Sequence, residues 1–130
     1  MKTFKILLAD DNEQIIELVS IELAQFLKHV QITTVRDGLK ARDLTNKYRY
    51  DLIVSDNVMP GLEGRDFIRQ VRDTPGPNSD TPFIICSGNF HVGDFKGISE
   101  CCVLHKPFDQ EKLHHYLRRL LSLDPLSFAS

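Results

Sequence analysis

The sequence predicts an α/β fold, a doubly wound (βα)5 domain built on a five-stranded parallel sheet. Short apolar runs alternate with stretches in which apolar residues recur at helical spacing. This alternation is typical of a parallel sheet with right-handed crossovers and helices on both faces. The 130 residues suit one domain, which we expect over residues 1–122, with residues 123–130 as a C-terminal tail or clipped linker.

The first half of the chain contains three predicted strands, each followed by a helix. Residues 4–9 form an apolar run that is too short for a helix and typical of a strand covered on both faces. A helical stripe of apolar residues begins at Glu13, with Asp11 or Asn12 as the N-cap. The remaining elements of this half are predicted from β-branched content and helical spacing: strands at 31–35 and 51–55, helices at 38–48 and 63–72.

The second half begins with a proline- and glycine-rich loop at residues 74–80 and predicts two further strands, at 82–86 and 101–104. Asp109 is the expected cap of a last helix that runs to Leu121. The segment between the two strands contains Gly93 and Gly97, and each glycine costs a helix about 1 kcal/mol relative to alanine. We therefore expect a shortened fourth helix there.

Composition excludes several classes of protein. Sixteen Lys and Arg against eighteen Asp and Glu give a net charge of −2, so no overall basic field is present to bind nucleic acid. No apolar run approaches the roughly 20 residues of a membrane span, and the N-terminus lacks a signal-peptide cleavage region. Three cysteines, two of them adjacent, make no disulfide framework. We expect a cytoplasmic protein without a nucleic-acid partner or a membrane span.

Polar residues stand at the carboxyl ends of four predicted strands. Asp10 and Asp11 follow the first strand, Asp56 follows the third, Ser87 follows the fourth, and Lys106 comes after the fifth. Each has an ordinary explanation as a helix cap, a turn residue or a solvated lysine. Ligands of open parallel sheets bind outside these strand ends, so five such residues on one edge favour a functional site.

The chemistry of these residues indicates a metal-assisted phosphoryl site. Three crowded carboxylates repel one another unless a counter-charge is present. Because every available ligand is an oxygen, Mg²⁺ fits better than Zn²⁺. The Lys106 ammonium and the Ser87 hydroxyl suit a phosphoryl group with charge on its outer oxygens. One of the carboxylates could act as a nucleophile and become an acyl phosphate.

Four motifs occur in order: LLADDN at the first strand, VSDNVMPG around Asp56, CSG after the fourth strand and HKPF before the last helix. With them the chain resembles the receiver domain of two-component response regulators, the phosphorelay signalling family that includes single-domain chemotaxis regulators. The resemblance covers residues 4 to about 122. It implies a flavodoxin-like fold with strand order 2-1-3-4-5 and a phosphoacceptor signalling domain instead of a conventional enzyme.

The resemblance also implies roles for the acidic residues. Asp56 would accept a phosphoryl group from a histidine, carried by a sensor histidine kinase or a histidine phosphotransfer protein. Mg²⁺, or Mn²⁺ in its place, would be bound by Asp11, by Asp56 and by the backbone carbonyl of Val58. Asp10 would act mainly through a metal-bound water.

Further residues would contact the phosphoryl group itself. Lys106 would pair with its oxygens, and Ser87 would supply a hydroxyl that moves toward them. The backbone N–H groups of Asn57 and Gly88 would donate to it, and a cis Lys106-Pro107 bond is implied. Activation would then change the binding of a downstream protein whose identity the sequence does not give.

The sequence departs from this family in two places. Val103 stands three residues before Lys106, where receivers usually carry Tyr or Phe. Ser87 and Lys106 are nineteen positions apart, about one helical turn closer than is common in the family. Both departures lie on the face that many receivers use to dimerise or to bind their targets.

Other functions fit the residues less well. A pseudo-receiver that binds a partner constitutively would not need the complete set of five site residues. A phosphatase of the haloacid dehalogenase type would carry a DxD pair after the first strand, and a flavin carrier would have a Ser-, Thr- and Gly-rich first loop in place of Asp10, Asp11 and Asn12. A receiver fragment of a larger regulator or hybrid kinase stays open.

Two surface features have simpler interpretations. Arg65, Arg69 and Arg72 form a stripe on one predicted helix, and we interpret the stripe as a solvated face. Leu18 and Ile21 lie off the apolar stripe of the first helix. They are interpreted either as ordinary exposed apolar residues or as part of a partner contact.

Overall fold

The computed structural model describes residues 2–88, 95 and 97–121, and it contains a five-stranded parallel sheet in the order β2-β1-β3-β4-β5. The strands are β1 (Phe4–Ala9), β2 (Val30–Val35), β3 (Leu52–Asp56), β4 (Phe83–Ser87) and β5 (Cys101–His105). The helices of the described part are α1 (Glu13–Phe26), α2 (Gly38–Lys47), α3 (Gly64–Asp73) and α4 (Gln110–Leu121). The predicted doubly wound fold and its strand order are confirmed.

Two expectations fall mainly outside the described residues. The predicted shortened fourth helix lies in the segment 89–100, of which residues 89–94 and 96 are not described, and residues 97, 99 and 100 form turns. Helix α4 therefore corresponds to the predicted last helix. The boundary at residue 122 and the tail at 123–130 also lie outside the described part and stay predictions.

Helices cover both faces of the sheet, and the inner strands β3 and β4 are buried along their whole length. Ile6 and Leu8 of β1 belong to the cluster that packs against α1 and α4. Leu7 and Ala9, which point to the opposite face, belong to the cluster with α2 and α3. Exposed polar side chains within the strands are Lys5 of β1 and Gln31 and Thr34 of β2, whereas the buried Asp56 and Ser87 stand where β3 and β4 end.

Side-chain oxygens cap three of the helices. Of the two candidates for α1, Asn12 is the N-cap: its side chain accepts hydrogen bonds from the backbone of Gln14 and Ile15. Asp37 caps α2 by accepting from the Lys40 N–H at 2.7 Å. Asp109, the predicted cap of the last helix, accepts from the backbone N–H groups at positions 111 and 112. Such caps satisfy N–H groups that have no partner inside the helix.

Strands β3, β4 and β5 each extend one residue further toward the site than the sequence predicts. The backbone N–H of Asn57 donates to the Cys86 carbonyl at 2.9 Å, and that of Lys106 donates to the Ser87 carbonyl at 2.9 Å. Asp56 and Ser87 are therefore held by the sheet itself, not by a loop. No helix in the described part of the chain is long and apolar enough to cross a membrane.

Asn78 organises the loop between α3 and β4. Its buried side chain donates to the carbonyls of Thr45 and Tyr48, each at 2.6 Å. Its oxygen accepts from the Tyr50 N–H at 2.8 Å and from the Thr81 hydroxyl at 3.0 Å. One side chain thus connects the end of α2 to the starts of β3 and β4.

The interpretation of the arginine stripe as a solvated face is wrong for Arg72. This half-buried guanidinium donates to the carbonyls of Ser79 and Ser99 and lies 5.2 Å from the centre of the Phe83 ring. It fastens α3 to the segments before β4 and β5. Leu18 and Ile21 are 44% and 47% exposed, as their position off the apolar stripe predicts.

Candidate functional site

Three carboxylates converge at the carboxyl ends of the central strands. Asp10 and Asp11 follow β1, and Asp56 is the last residue of β3, the hydrogen-bonded neighbour of β1. One oxygen of each carboxylate lies within 4.8 Å of the others. Asp10 and Asp56 are buried, with 1% and 7% of their surface exposed, whereas Asp11 is exposed. The structure therefore brings together the three acidic residues that the sequence singled out.

Lys106 supplies positive charge to this cluster from the end of β5. Its ammonium lies 3.1 Å from Asp56 Oδ1 and 3.5 Å from Asp10 Oδ2. Burial works against the charged form, but the hydrogen bond to Asp56 and the charges of Asp56 and Asp10 raise the pKa of Lys106. The lysine is therefore a fixed positive charge at any physiological pH.

One lysine does not compensate the cluster fully. Burial raises the pKa of the Asp10 carboxyl, and the charge of Asp56 adds to the rise. The backbone N–H of Asn12, 2.9 Å from Asp10 Oδ1, and the Lys106 ammonium offset it only in part. A site with this surplus of negative charge and only oxygen donors fits a hard divalent cation.

The remaining predicted residues lie at the carboxyl ends of the neighbouring strands or in the segments that follow them. Ser87 is buried at the end of β4, and Gly88, which follows it, is exposed with open space beside its Cα. Val58 is 65% exposed in the loop after β3. The Lys106-Pro107 bond is cis, as the resemblance implies. The Asn57 N–H already donates to the Cys86 carbonyl, so its predicted contact with a phosphoryl group would require this bond to be released.

Two glycines hold the loop after Asp56 and were not predicted. An added Cβ on Gly64 would lie 2.5 Å from the Asp56 carbonyl oxygen, and the Gly64 N–H donates to the Asn57 carbonyl at 2.9 Å. On the other side, a Cβ on Gly38 would lie 2.0 Å from the Leu62 carbonyl oxygen. The sequence does show a glycine at the start of both α2 and α3. The need for glycine at these positions could not be predicted, because it depends on tertiary contacts with the loop.

The parallel sheet and its acidic edge define a doubly wound α/β domain with a cluster of three carboxylates that could hold a metal ion. Over residues 6–118 the chain matches the response regulator receiver domain, and it belongs to that family. The predicted resemblance is thereby confirmed.

Longer regulators from several organisms contain a similar sequence. The transcription factor SKN7 of Saccharomyces cerevisiae is 37% identical over 125 residues, which are 92% of this chain and 19% of that protein. The response regulator ArlR of Staphylococcus aureus is 27% identical over 93% of this chain and 54% of its own length. The chain therefore spans about a fifth to about half of these relatives.

Solved receiver structures have the same fold. The receiver domain of the Francisella response regulator 1452 is 29% identical with a TM-score of 0.79, covering 92% of this chain and 98% of that one. The chemotaxis response regulator CheY4 of Vibrio cholerae is 29% identical with a TM-score of 0.80, covering 92% and 100%. The receiver domain of the sensor histidine kinase PA1611 of Pseudomonas aeruginosa is 28% identical with a TM-score of 0.79, covering 94% and 100%, and it holds a magnesium ion in its active-site cleft.

Proposed function

We propose that this receiver accepts a phosphoryl group on Asp56 and thereby switches its binding to a downstream protein. The donor is a phosphohistidine of a sensor histidine kinase or of a histidine phosphotransfer protein. The observation that carries the proposal is the placement of Asp56, which ends β3 with Oδ1 3.1 Å from the Lys106 ammonium and near two further carboxylates. A carboxylate so placed has counter-charges ready for a phosphoryl group.

In the proposed step, a carboxylate oxygen of Asp56 attacks the phosphorus of the phosphohistidine. A P–O bond forms as the P–N bond breaks, and the electron pair of the broken bond stays on the imidazole nitrogen. The product is an acyl phosphate on Asp56. Its later hydrolysis returns the carboxylate and inorganic phosphate, so the chemistry is self-phosphorylation and autodephosphorylation, without turnover of a separate substrate.

Mg²⁺, with Mn²⁺ as a substitute, is the cofactor that these residues fit. The carboxylates of Asp11 and Asp56 and the backbone carbonyl of Val58 would hold it directly, and Asp10 would act mainly through a bound water. When bound, the ion neutralises charge on the carboxylates and on the incoming phosphoryl oxygens. Magnesium in the cleft of the PA1611 receiver supports this assignment, as does the raised pKa of Asp10, which is caused by burial of the carboxyl and, to a lesser extent, by the charge of Asp56.

Lys106, Ser87 and Gly88 act on the phosphoryl group in this proposal. The Lys106 ammonium lies within 3.5 Å of both Asp10 and Asp56. It pairs with a phosphoryl oxygen once Asp56 is an acyl phosphate, because the negative charge then lies on the phosphoryl oxygens. The Ser87 hydroxyl and the Gly88 N–H, at the end of the neighbouring strand, donate to the other oxygens. Asn57 stays a candidate donor, subject to release of its bond to Cys86.

The same site can belong to a larger regulator or hybrid kinase. The chain spans only part of SKN7 and ArlR, which favours a receiver within a larger protein as the second candidate. The chemistry at Asp56 would be the same in either case. A pseudo-receiver is disfavoured because all five site residues stand at strand ends on one edge of the sheet. The three free cysteines support the reducing cytoplasm as the proposed location.

Intact-mass spectrometry after incubation with acetyl phosphate tests the proposal. The protein should gain one phosphoryl group with Mg²⁺ and none with EDTA. Asp56→Asn should gain none. Asp109→Asn is the matched control, because it neutralises an aspartate outside the site while keeping a good N-cap, and it should be labelled like the original chain. Equal labelling of Asp56→Asn would refute the assignment.

A further inference from the structure

A cavity lies at the opposite end of the sheet from Asp56. It has a volume of about 350 Å³ and opens between the C-terminal end of α2 and the β1–β2 pair. Lys5 and Gln31, which are register partners on the two strands, form one wall. Lys5 precedes Asp10 by five residues of extended chain, which is about 16 Å. The cavity is therefore separate from the acidic site.

The cavity combines aromatic surface with positive charge. Tyr48, 59% exposed, and the buried Tyr50 line it together with Leu44. Lys5 and Arg49 are its charged residues, and no carboxylate lines it. Its volume falls in the range of small-molecule sites, about 300–1,000 Å³, which are also mostly apolar with a few polar groups.

The nearby carboxylates are occupied by other partners and do not cancel this charge completely. Asp51 pairs with Lys2 at 2.9 Å and accepts from the Lys5 backbone N–H at 2.8 Å. Asp80 and the Pro77 carbonyl both accept from Nη1 of Arg49, each at 2.8 Å. A guanidinium has five N–H donors in a fixed fork, so Arg49 can reach an additional acceptor.

We propose that this cavity binds a small anionic aromatic molecule. The planar body of the ligand lies against Tyr48, Tyr50 and Leu44, where aromatic and apolar surface is available. Its acidic group, a carboxylate, sulfonate or phosphate, lies at the rim against Lys5 and Arg49. Charge-assisted hydrogen bonds of this kind are about twice as strong as neutral ones, and they orient the ligand in the cavity.

The test uses the aromatic sulfonate 8-anilinonaphthalene-1-sulfonate as the probe with the full chain. Its fluorescence should rise and saturate, and amide chemical-shift changes should concentrate around Leu44 and Tyr50. Lys5→Gln should weaken the Kd at least about fivefold, as expected for one charged contact. Gln31→Phe, which fills the cavity with a side chain that a strand tolerates, should abolish binding. The control Lys47→Gln removes a nearby exposed lysine outside the cavity and should leave the Kd unchanged.

Three results would overturn the proposal. One is equal binding by Lys5→Gln, Gln31→Phe and Lys47→Gln, and another is a set of shift changes scattered over the surface. The third is loss of probe binding over the concentration range in which sedimentation velocity shows a dimer, since a second copy would then cover the cavity. Asp56→Asn should bind the probe normally, so this outcome is independent of the proposed phosphorylation.

Discussion

Replacing Gly64 by alanine tests how the acceptor aspartate is held. The new Cβ would lie 2.5 Å from the Asp56 carbonyl oxygen and 2.9 Å from the Asn57 Cα. These are backbone atoms that cannot rotate away, so α3 and the end of β3 must move apart. Overpacking of this kind costs about 1–3 kcal/mol, and a stiffer unfolded chain returns about 0.4–1 kcal/mol. We expect a net loss of about 1–2 kcal/mol, with weaker Mg²⁺ binding because Asp56 shifts.

Urea unfolding followed by circular dichroism measures the loss, since the chain has no tryptophan for fluorescence. Gly76→Ala is the matched control, because the nearest atom to its added Cβ is the Thr74 carbonyl oxygen at 3.9 Å. This control should be neutral or slightly stabilising. If Gly64→Ala were as stable as Gly76→Ala and bound Mg²⁺ equally well, the close approach of α3 to Asp56 would have no effect on stability or on the metal site, and the reasoning would be refuted.

Three further predictions concern single side chains. Asn78→Ala should lower the free energy of unfolding by at least about 2 kcal/mol, because it leaves buried backbone groups without partners. Asn78→Asp should be destabilised as well, since a carboxylate cannot donate to the two carbonyls. Urea titration of both variants measures these losses, and a stable Asn78→Asp would contradict the explanation. Arg72→Lys should lose about 1 kcal/mol or more in the same assay, because an ammonium lacks the fork that reaches Ser79 and Ser99, and an unchanged midpoint would contradict this. The pKa of Asp10 in the folded protein is raised above its ordinary value of 3.8. Ionisation of this carboxyl therefore destabilises the fold at neutral pH, and the destabilisation disappears at pH values below the pKa of the unfolded chain, where the carboxyl is protonated in both states. Asp10→Asn should therefore stabilise the metal-free protein at pH 7, and the gain should shrink as the pH falls toward about 4; a gain that is independent of pH would refute the electrostatic explanation.

The strands and the site residues could be predicted because local sequence determines them. The run at Phe4–Ala9 is apolar except for Lys5 because β1 is covered on both faces, and the acidic residues Asp10 and Asp11 follow directly where this run ends. The position of Asp10, Asp56 and Lys106 at the ends of such runs therefore identifies them from the sequence. The ends of β3 and β4 were placed one residue short, because polarity changes at Asp56 and Ser87 while the backbone ladder continues through both.

Residues whose role depends on distant parts of the chain could not be predicted. Asn78 stands in a loop rich in turn residues, and its side chain is important only because the end of α2 and the start of β3 meet there. Arg72 follows the period of an exposed stripe, yet carbonyls more than 20 positions away at Ser99 and Glu100 surround it. In the sequence, Gly64 is an ordinary residue at the start of a helix, and only the folded structure shows that the Asp56 backbone lies against it.

Borohydride reduction of the phosphorylated protein tests the central claim most directly, because it converts an aspartyl phosphate to homoserine and so marks the acceptor. After incubation with acetyl phosphate and Mg²⁺, reduction and peptide mass spectrometry should find homoserine at position 56. The same treatment in EDTA should leave Asp56 unmodified. Homoserine at Asp10 or Asp11, or equal conversion of Asp56 without the metal, would contradict the assignment of Asp56 as the metal-dependent phosphoacceptor.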